Sequence, residues 1–442
     1  MKKISSLKSK IILVFLFLFL NQSSFAQFTF NGQLVNRFEY RHGYGKLIEK
    51  NVDPAAFMSQ RSRIEGTYKL PKLTFHTSLQ DIRTWGATAQ TRKADNYFAV
   101  YEAWAQVHFD SSLSLKIGVQ ELNYDNARFL GNIDWALQGR AHDFALLKYA
   151  KNKTKIDLGA GFNQDGESLT GNIYSSLNPY KTAQMLRLEH AMNNFDFSFL
   201  FWNNGKQFTL RDSTNKIVKK EVHFSQTIGL PTIRYKMNNT TIQVFYYQQL
   251  GKDVNNKDIN AYNANLQVSH VLKFNETKKS QLKITLGTEI ISGTDNNNSK
   301  NETNSYNPMF GTNHMHNGYM DYFFVAGRFE NSVGLMDTYL KFKYDFSSKG
   351  FVALNGHLFQ AQAKVYNSTG KMDSNLGTEI DYAMGYVINK YVSVQLGYSH
   401  MINSKTFEYL NDAANPNDLQ NWAYLMLIVR PDSDKKFIAI YN

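Results

Sequence analysis

Long segments in which apolar and polar residues alternate with a period of two constrain the fold of this chain more than any other feature. In residues 281–290 one face carries Leu282, Ile284, Leu286 and Ile290, and the other carries Gln281, Lys283, Thr285 and Glu289. Such alternation is typical of β-strands whose two faces meet different surroundings. Comparable segments recur along the chain, and no amphipathic helix stands out after residue 26, so the sequence predicts an all-β fold.

The length and spacing of these segments favour a membrane barrel over a soluble sandwich. They run about 9–13 residues, longer than the usual strand of about 5–6 and close to what a tilted strand needs to cross a bilayer. A polar face on nearly every strand suits a wet lumen better than a soluble core. Short connections alternate with long polar stretches, as expected for periplasmic turns and external loops. The long stretches are residues 121–141, 163–183, 203–221 and 292–317.

The N-terminus has the three parts of a secretory signal peptide. Its positive region carries Lys2, Lys3, Lys8 and Lys10. An apolar run from 11 to 20 follows, and Ser24-Phe25-Ala26 supplies small residues where a signal peptidase reads them. A run of ten residues is too short to span a bilayer as a helix, which needs about 20. We expect residues 1–26 to be a cleaved signal peptide and residues 27–442 to form one barrel domain.

Composition agrees with one large exported β domain. Aromatic residues make up 14% of the chain, prolines number seven, and there is no cysteine, which excludes a disulfide scaffold. The net charge of +12 falls to +8 once the four lysines of the signal peptide are removed. Together these features predict an antiparallel transmembrane β-barrel of about 18 strands (16–18), integral to the bacterial outer membrane, with a polar and basic aqueous lumen.

The arginines of the first third are the most informative local feature. Arg61 and Arg63 share one face of a predicted strand with Ser59 and Glu65. A cation at the bilayer midplane costs roughly 2–4 kcal/mol on a barrel, so we expect both arginines to line the lumen or its mouth. Guanidinium groups bind carboxylates and phosphates through paired hydrogen bonds. Alternatively, the arginines pair with luminal Asp and Glu and brace the barrel, and the two roles can coexist.

Several stretches of the chain resemble the alginate export family of outer-membrane barrels. They are Gln80–Gly86 (QDIRTWG), Glu102–Trp104 (EAW), Ile117–Trp135 (IGVQELNYDNARFLGNIDW) with Gly139, Arg140 and Asp143, and Gly311–His314 (GTNH) through Gly318–Tyr322 (GYMDY). The resemblance is dense over residues 57–150 and patchy to about residue 346. Elsewhere only the regular alternation of predicted strands and turns supports the resemblance.

The resemblance implies a monomeric pore of roughly 18 strands with an electropositive constriction, through which a secreted polyuronate passes passively. The residues expected to contact carboxylates are Arg61, Arg63, Arg83, Arg128 and Arg140. Those expected to hold the arginines or to set spacing along the path are Asp81, Asp125 and Asp143, with Glu102 as a further luminal candidate. The expected partners are an anionic polysaccharide or oligosaccharide, outer-membrane lipid and components of a periplasmic secretion complex.

Two features depart from the family pattern. Outer-membrane barrels commonly finish on an aromatic residue, whereas this chain ends Ile440-Tyr441-Asn442. The last strand is therefore either Trp422–Arg430 with a short tail, or the tail is itself a strand. The clustered positive charge is also only moderate, so a general anion or oligosaccharide porin is an alternative to a polyuronate exporter.

Other classes of function have weaker support. Glu102 with Asp81 or Asp125 would suit a glycan-modifying enzyme acting through paired carboxylates, but no nucleophile motif is present, and we expect no enzymatic activity and no cofactor. A closed barrel with loops folded into its lumen is a third hypothesis, and it predicts no conductance. A basic pI alone does not support nucleic-acid binding.

A metal site has little support in the sequence. His314 and His316 with Asp321 could ligate a cation, but they lack the ligand spacing of zinc or calcium sites, so we predict no bound metal.

The signal peptide can be tested on protein purified from outer membranes. We expect its N-terminal residue to be Gln27, because cleavage after Ala26 satisfies the small-residue rule. Intact-mass measurement checks this, and a mature chain that retains Lys8 and Lys10 would contradict it.

Overall fold

A closed antiparallel β-barrel accounts for nearly all regular structure of the protein. The computed structural model describes residues 27–91, 97–171, 180–324, 332–431 and 435–438, so the predicted signal peptide, residues 1–26, lies outside the described residues. No helix in the described part of the chain is long and apolar enough to cross a membrane. The predicted all-β fold of about 18 strands is confirmed.

The eighteen barrel strands follow one another around the sheet in chain order. They are β1 (Gln27–His42), β2 (Ala55–Leu70), β3 (Leu73–Thr84), β4 (Phe98–His108), β5 (Leu113–Gln120), β6 (His142–Lys151), β7 (Thr154–Phe162), β8 (Thr182–Met192), β9 (Phe195–Arg211), β10 (Ile217–Met237), β11 (Thr240–Lys252), β12 (Asp258–Asn275), β13 (Ser280–Ile291), β14 (Leu335–Ser347), β15 (Gly350–Gln360), β16 (Asn375–Val387), β17 (Val392–Asn403) and β18 (Gln420–Val429). Short elements in the loops are Glu302–Thr303, Tyr366–Asn367, Gly370–Lys371, a 3₁₀ turn at Asn313–Met315 and the helix α1 (Lys405–Leu410).

The barrel closes where β1 pairs with β18. The two strands are antiparallel, and Leu34 lies opposite Val429. β18 is therefore the last strand and ends close to where Trp422–Arg430 was predicted to end. Residues 435–438, the described residues beyond Pro431, form no strand.

The faces of the strands follow the predicted alternation. Leu286, near the middle of β13, has 59% of its surface exposed on the outside of the barrel, whereas its neighbours Thr285 and Gly287 are buried inside. The register breaks in β4, where Tyr101 turns inward, and in β10 at Pro231. A proline lacks the N–H that a sheet interior needs, so a bulge at this position is expected.

The connections differ in length at the two ends of the barrel. Turns of two residues join β2 to β3 and β8 to β9, which is typical of the periplasmic end. At the other end, residues 121–141 and 292–317 belong to long loops as predicted. Residues 203–221 do not, because β9 and β10 continue through most of this stretch as strands of 17 and 21 residues.

A charge on the outer face should destabilise the barrel. Leu286→Arg is expected to lower the free energy of unfolding by roughly 2–4 kcal/mol, because the cation would face the hydrocarbon layer. The inward-facing control Gln281→Arg should change it by less than about 0.5 kcal/mol, since the new side chain lies beside Asp345. Denaturant titration in lipid vesicles measures both, and equal effects would contradict the assignment of faces.

Candidate functional site

Two loops fold into the barrel and pack against each other. The first inward loop is residues 121–141, between β5 and β6, and the second inward loop is residues 292–334, between β13 and β14, described except for 325–331. Leu130 and Phe310 form a parallel bridge, and the Gly131 N–H donates to the Phe310 carbonyl at 2.8 Å. A Cβ on Gly131 would lie 2.2 Å from Thr312 Oγ1, so this contact requires glycine.

Aromatic rings hold the second inward loop against the barrel wall. Phe310 is fully buried, and four rings surround it at centroid distances of 5.2–5.9 Å: Phe129, His142, Tyr180 and Trp202. His142 and Trp202 belong to β6 and β9. The middle of the barrel thus contains an apolar core like that of a soluble protein.

A second aromatic cluster holds the first inward loop. Trp135 stacks on His314 at 4.1 Å and meets Trp422 of β18 edge-on at 5.5 Å. The Arg37 guanidinium lies 4.3 Å from the centroid of the Trp135 ring and donates to the Trp135 carbonyl at 2.5 Å. Cation–π and hydrogen-bond contacts therefore fix the loop to β1 and β18.

Arg61 braces the first inward loop. Its side chain is fully buried, pairs with Asp134 at 2.8 Å and donates to the Leu137 carbonyl at 3.0 Å and to Gln33 Oε1 at 2.9 Å. Arg430 approaches the same carboxylate at 3.4 Å. Burial would raise the pKa of the Asp134 carboxyl, but Arg61 and Arg430 hold it below its usual value. In this conformation Arg61 acts as a brace.

Arg63 lies beside Arg61 on the inner face of β2 and bonds to the neighbouring strand. Its guanidinium donates twice to Gln80 Oε1, at 3.0 and 2.6 Å, and lies 3.7 Å from the centroid of the Tyr101 ring. Gln80 in turn donates to the Gln138 carbonyl of the first inward loop at 2.9 Å. Arg63 therefore supports the loop through a second residue.

Arg140 joins the two inward loops. Its Nη1 donates to the carbonyls of Gly131 and Gly311, each at 3.3 Å. Burial lowers the pKa of this guanidinium to about 10, which leaves it charged at neutral pH.

Arg128 holds the first inward loop against β13. It forms an ion pair with Glu289 and donates to Asn317 Oδ1 at 3.3 Å. The Asn317 amide donates to Glu289 at 3.1 Å and to Asp337 at 3.2 Å. An arginine of the first inward loop thus meets two carboxylates of the wall, and an asparagine of the second inward loop lies between them.

Asp125 pairs with an arginine that sequence reasoning did not single out. Both of its oxygens accept from Arg187 of β8, at 2.8 and 3.0 Å, and Arg187 also reaches Glu189 at 2.7 Å. The only sequence signal for Arg187 is its position between Leu186 and Leu188 on an alternating strand.

Glu102 lies on the inner face of β4 and contacts the start of the first inward loop. It accepts from Trp104 Nε1 and from the Glu121 backbone N–H, each at 3.1 Å. Trp104 lies between His76, stacked at 5.0 Å, and the Lys116 ammonium, 3.8 Å from its ring centroid. The carboxylate therefore orients an aromatic–cation stack at the start of the first inward loop.

Asp81 and Arg83 lie on the outer face, and the expectation that they line the lumen is corrected. They alternate along β3 with the inward Gln80 and sit opposite Ser62 and Gln60, which are on the outer face of β2. They form an ion pair with each other near the loop end of the barrel.

Asp143 is also outside the lumen. It is exposed on β6 between His142 and Phe144, both of which point into the barrel and are buried. Because strand neighbours point to opposite faces, Asp143 cannot share the interior with them.

Two open cavities lie next to the inward loops, toward the end of the short turns. The larger measures about 570 Å³, and its lining includes Asp125, Arg187, Glu189, Asp196, Arg234 and His316. The smaller measures about 240 Å³, and its lining includes Gln33, Arg63, Glu65, Asp134, Arg430 and Lys435. Asn132 of the first inward loop borders both cavities.

The loop histidines have structural contacts. His314 Nδ1 is hydrogen-bonded to Asp321 Oδ1 at 2.8 Å. His316 is buried, and burial lowers the pKa of its imidazole well below the usual value. Over the described ranges no group of three or more His, Cys, Asp or Glu side chains is arranged to hold a metal ion.

Solved structures of outer-membrane porins share this fold. Neither a protein-family model nor a curated protein sequence matches the chain. The crystal structure of OccK9 (OpdG) from Pseudomonas aeruginosa is 11% identical, with a TM-score of 0.58, over 91% of this chain and 98% of that one. OpdK of the same organism, solved with vanillate, is 12% identical with a TM-score of 0.57 and the same coverage.

A third similar structure is a BenF-like porin from Pseudomonas fluorescens Pf-5, 11% identical with a TM-score of 0.55, over 91% of this chain and 98% of that one. Identities this low establish the fold alone. The protein is an integral outer-membrane β-barrel with the fold of these porins, and the predicted barrel and location are confirmed.

Removing the Arg61 brace should loosen the first inward loop. Arg61→Met is expected to lower the free energy of unfolding by roughly 2–3 kcal/mol, below the 3–5 kcal/mol of a fully buried pair because Asp134 is partly exposed. Protease cleavage within residues 121–141 should become faster. The control Arg234→Met removes a more exposed pair with Asp196 and should cost under about 1 kcal/mol. Unchanged cleavage in Arg61→Met would contradict the bracing role.

Proposed function

We propose that the protein is a pore for the passive passage of small anionic solutes, with the two inward loops as its selective constriction. The observation that carries this proposal is the partial filling of the interior. The loops occupy the middle of a wide barrel, and open cavities of about 570 and 240 Å³ lie beside them. A narrowed path of this kind selects solutes by size and by the charges that line it.

Guanidinium groups at both cavities offer sites for an anionic solute, in linings that hold at least as many carboxylates as cations. The smaller cavity is lined by Arg63, Arg430 and Lys435, and the larger by Arg187 and Arg234. Guanidinium groups suit carboxylates through paired hydrogen bonds. Carboxylates stand among these cations, so the path offers several weak sites rather than one strong site. Passage through a pore requires weak binding at each site, because a solute must be able to leave every site that it enters.

The size of the cavities favours a monomeric or short oligomeric solute. Volumes of a few hundred Å³ suit one small molecule. A uronate sugar has both the carboxylate and the size. A more specific version of the proposal is export of a polyuronate such as alginate. A polymer would need the two inward loops to move aside, since Arg61 and Arg128 hold them against the wall.

An enzyme acting on the same glycan is the second candidate. Paired-carboxylate hydrolysis needs two carboxyl groups facing one sugar. Asp81 is on the outer face whereas Glu102 is on the inner face, and Asp125 is bound by Arg187. These placements favour transport. A monomeric state, contact with outer-membrane lipid and contact with a periplasmic secretion complex are further parts of the proposal.

Conductance in planar bilayers tests the function. The purified protein should conduct with a preference for anions, and glucuronate or a short oligouronate should block it. In Arg63→Gln/Arg430→Gln the blocking concentration should rise by about tenfold, the equivalent of about 1.4 kcal/mol. Arg83→Gln is the control, because it removes one such charge from the outer face, outside the lining of both cavities.

Other outcomes would point elsewhere. Absence of conductance would support the closed barrel. Shortening of oligouronates by the purified protein would support the enzyme. Block by alginate polymer at lower monomer-equivalent concentration than by the short oligomer would favour the polymer as cargo, and block by vanillate but not glucuronate would favour aromatic acids.

A further inference from the structure

The chain continues beyond the strand that closes the barrel. β18 pairs with both β1 and β17 and ends at Val429, so the sheet is complete without the residues that follow. Residues 435–438 lie inside the barrel at the end of the short turns. We call residues 435–438 the C-terminal strap.

A glutamine of β17 holds the strap by its backbone. Gln395 Nε2 donates to the Ile438 carbonyl at 2.9 Å, and the Ile438 N–H donates to Gln395 Oε1 at 3.0 Å. The side-chain amide therefore pairs with the strap as a neighbouring β-strand would. Gln395 is 1% exposed, and its Nε2 also donates to Tyr424 Oη at 2.8 Å, which fixes its orientation.

Apolar packing adds to these hydrogen bonds. Ile438 is 1% exposed, and the Phe437 ring meets Phe351 edge-on at 5.0 Å. Gly385 leaves room for that ring, because a Cβ there would lie 2.6 Å from Phe437. Gly385 and Phe351 thus form a seat on the inner wall for Phe437 of the strap.

Further contacts lie at the rim. Lys436 Nζ donates to the Lys390 carbonyl, in the turn between β16 and β17, at 2.6 Å, and the Ser393 hydroxyl donates to the Lys436 carbonyl. Ser393 is the second residue of β17, so the strap lies inside the periplasmic mouth. Arg430 donates to the Lys435 carbonyl at 3.0 Å, and both side chains line the smaller cavity.

We infer that the C-terminal strap is a releasable gate that narrows the periplasmic mouth of the pore and forms part of the wall of the smaller cavity. The inference rests on the proposed pore function. Release leaves the closed sheet intact, since no barrel pairing involves the strap. A short segment that lies outside the sheet and is held by a few contacts opens more readily than barrel strands.

Three changes to the full-length protein test the gate in planar bilayers. A chain ending at Pro431 lacks the strap, and its single-channel conductance should rise on the order of twofold. Gln395→Leu removes both backbone contacts at similar volume and should produce frequent transitions to the same higher level. The control Gln281→Leu alters another inward glutamine near the periplasmic end, on β13, and should conduct as the native protein does.

An engineered disulfide that fixes the strap to β17 tests the gate in the opposite direction, because it prevents release instead of promoting it. The chain has no cysteine, so Ser393→Cys with Lys436→Cys provides the only possible intramolecular bridge. Oxidation should abolish transitions to the higher level, and reduction should restore them. If the shortened chain and Gln395→Leu conduct at the native level, the gate is refuted while the pore stands. If neither the native nor the shortened protein conducts, the pore and the gate are both refuted.

Discussion

A sheet in a membrane cannot leave an edge unpaired, and the rest of this structure depends on that constraint. Backbone N–H and C=O groups find no water in the hydrocarbon layer, so β1 must pair with β18. Closing eighteen strands encloses a space too wide for wall side chains to fill. The chain fills much of it with its own loops, whose aromatic rings meet around Phe310 and Trp135. The need to pair every strand edge thus produces both the transmembrane barrel and the interior in which solutes would be selected.

An interior arginine that is fully hydrogen-bonded to a loop has no donors left for a ligand, so the interior arginines differ in role. Arg61 and Arg128 form ion pairs with Asp134 and Glu289. In this conformation they hold the loops that shape the path and are not positioned to bind a solute. Arg63 and Arg430 line the smaller cavity and also make structural contacts, although both are as buried as Arg128. The arginines that line a cavity are therefore the candidate contacts and the others are braces, and a charge count of the lumen does not distinguish the two.

The fold could be predicted from the sequence because the face of a strand residue depends only on its position in an alternating pattern. Arg61 and Arg63 share one face of β2 and are both buried, on the side where they avoid the cost of a cation facing lipid. Asp81 and Arg83 keep the phase of the outward residues of β3, so the signal for an outer position was present in the pattern and was overruled by the family resemblance. Partners such as Arg187 for Asp125 could not be predicted, since they depend on how the loops fold. Strand extension through residues 203–221 was missed because that stretch is polar and resembles a loop.

The unequal height of the barrel wall has a consequence at the cell surface. The 21 residues of β10 extend roughly 70 Å, whereas a tilted strand crosses the roughly 30 Å hydrocarbon layer with about half that length. The hairpin of β9 and β10 therefore stands on the order of 20 Å above the membrane and carries its turn, residues 212–216, away from the lumen. That turn is a natural place to display a foreign epitope on living cells, because an inserted peptide there would neither enter the bilayer nor obstruct the loops below.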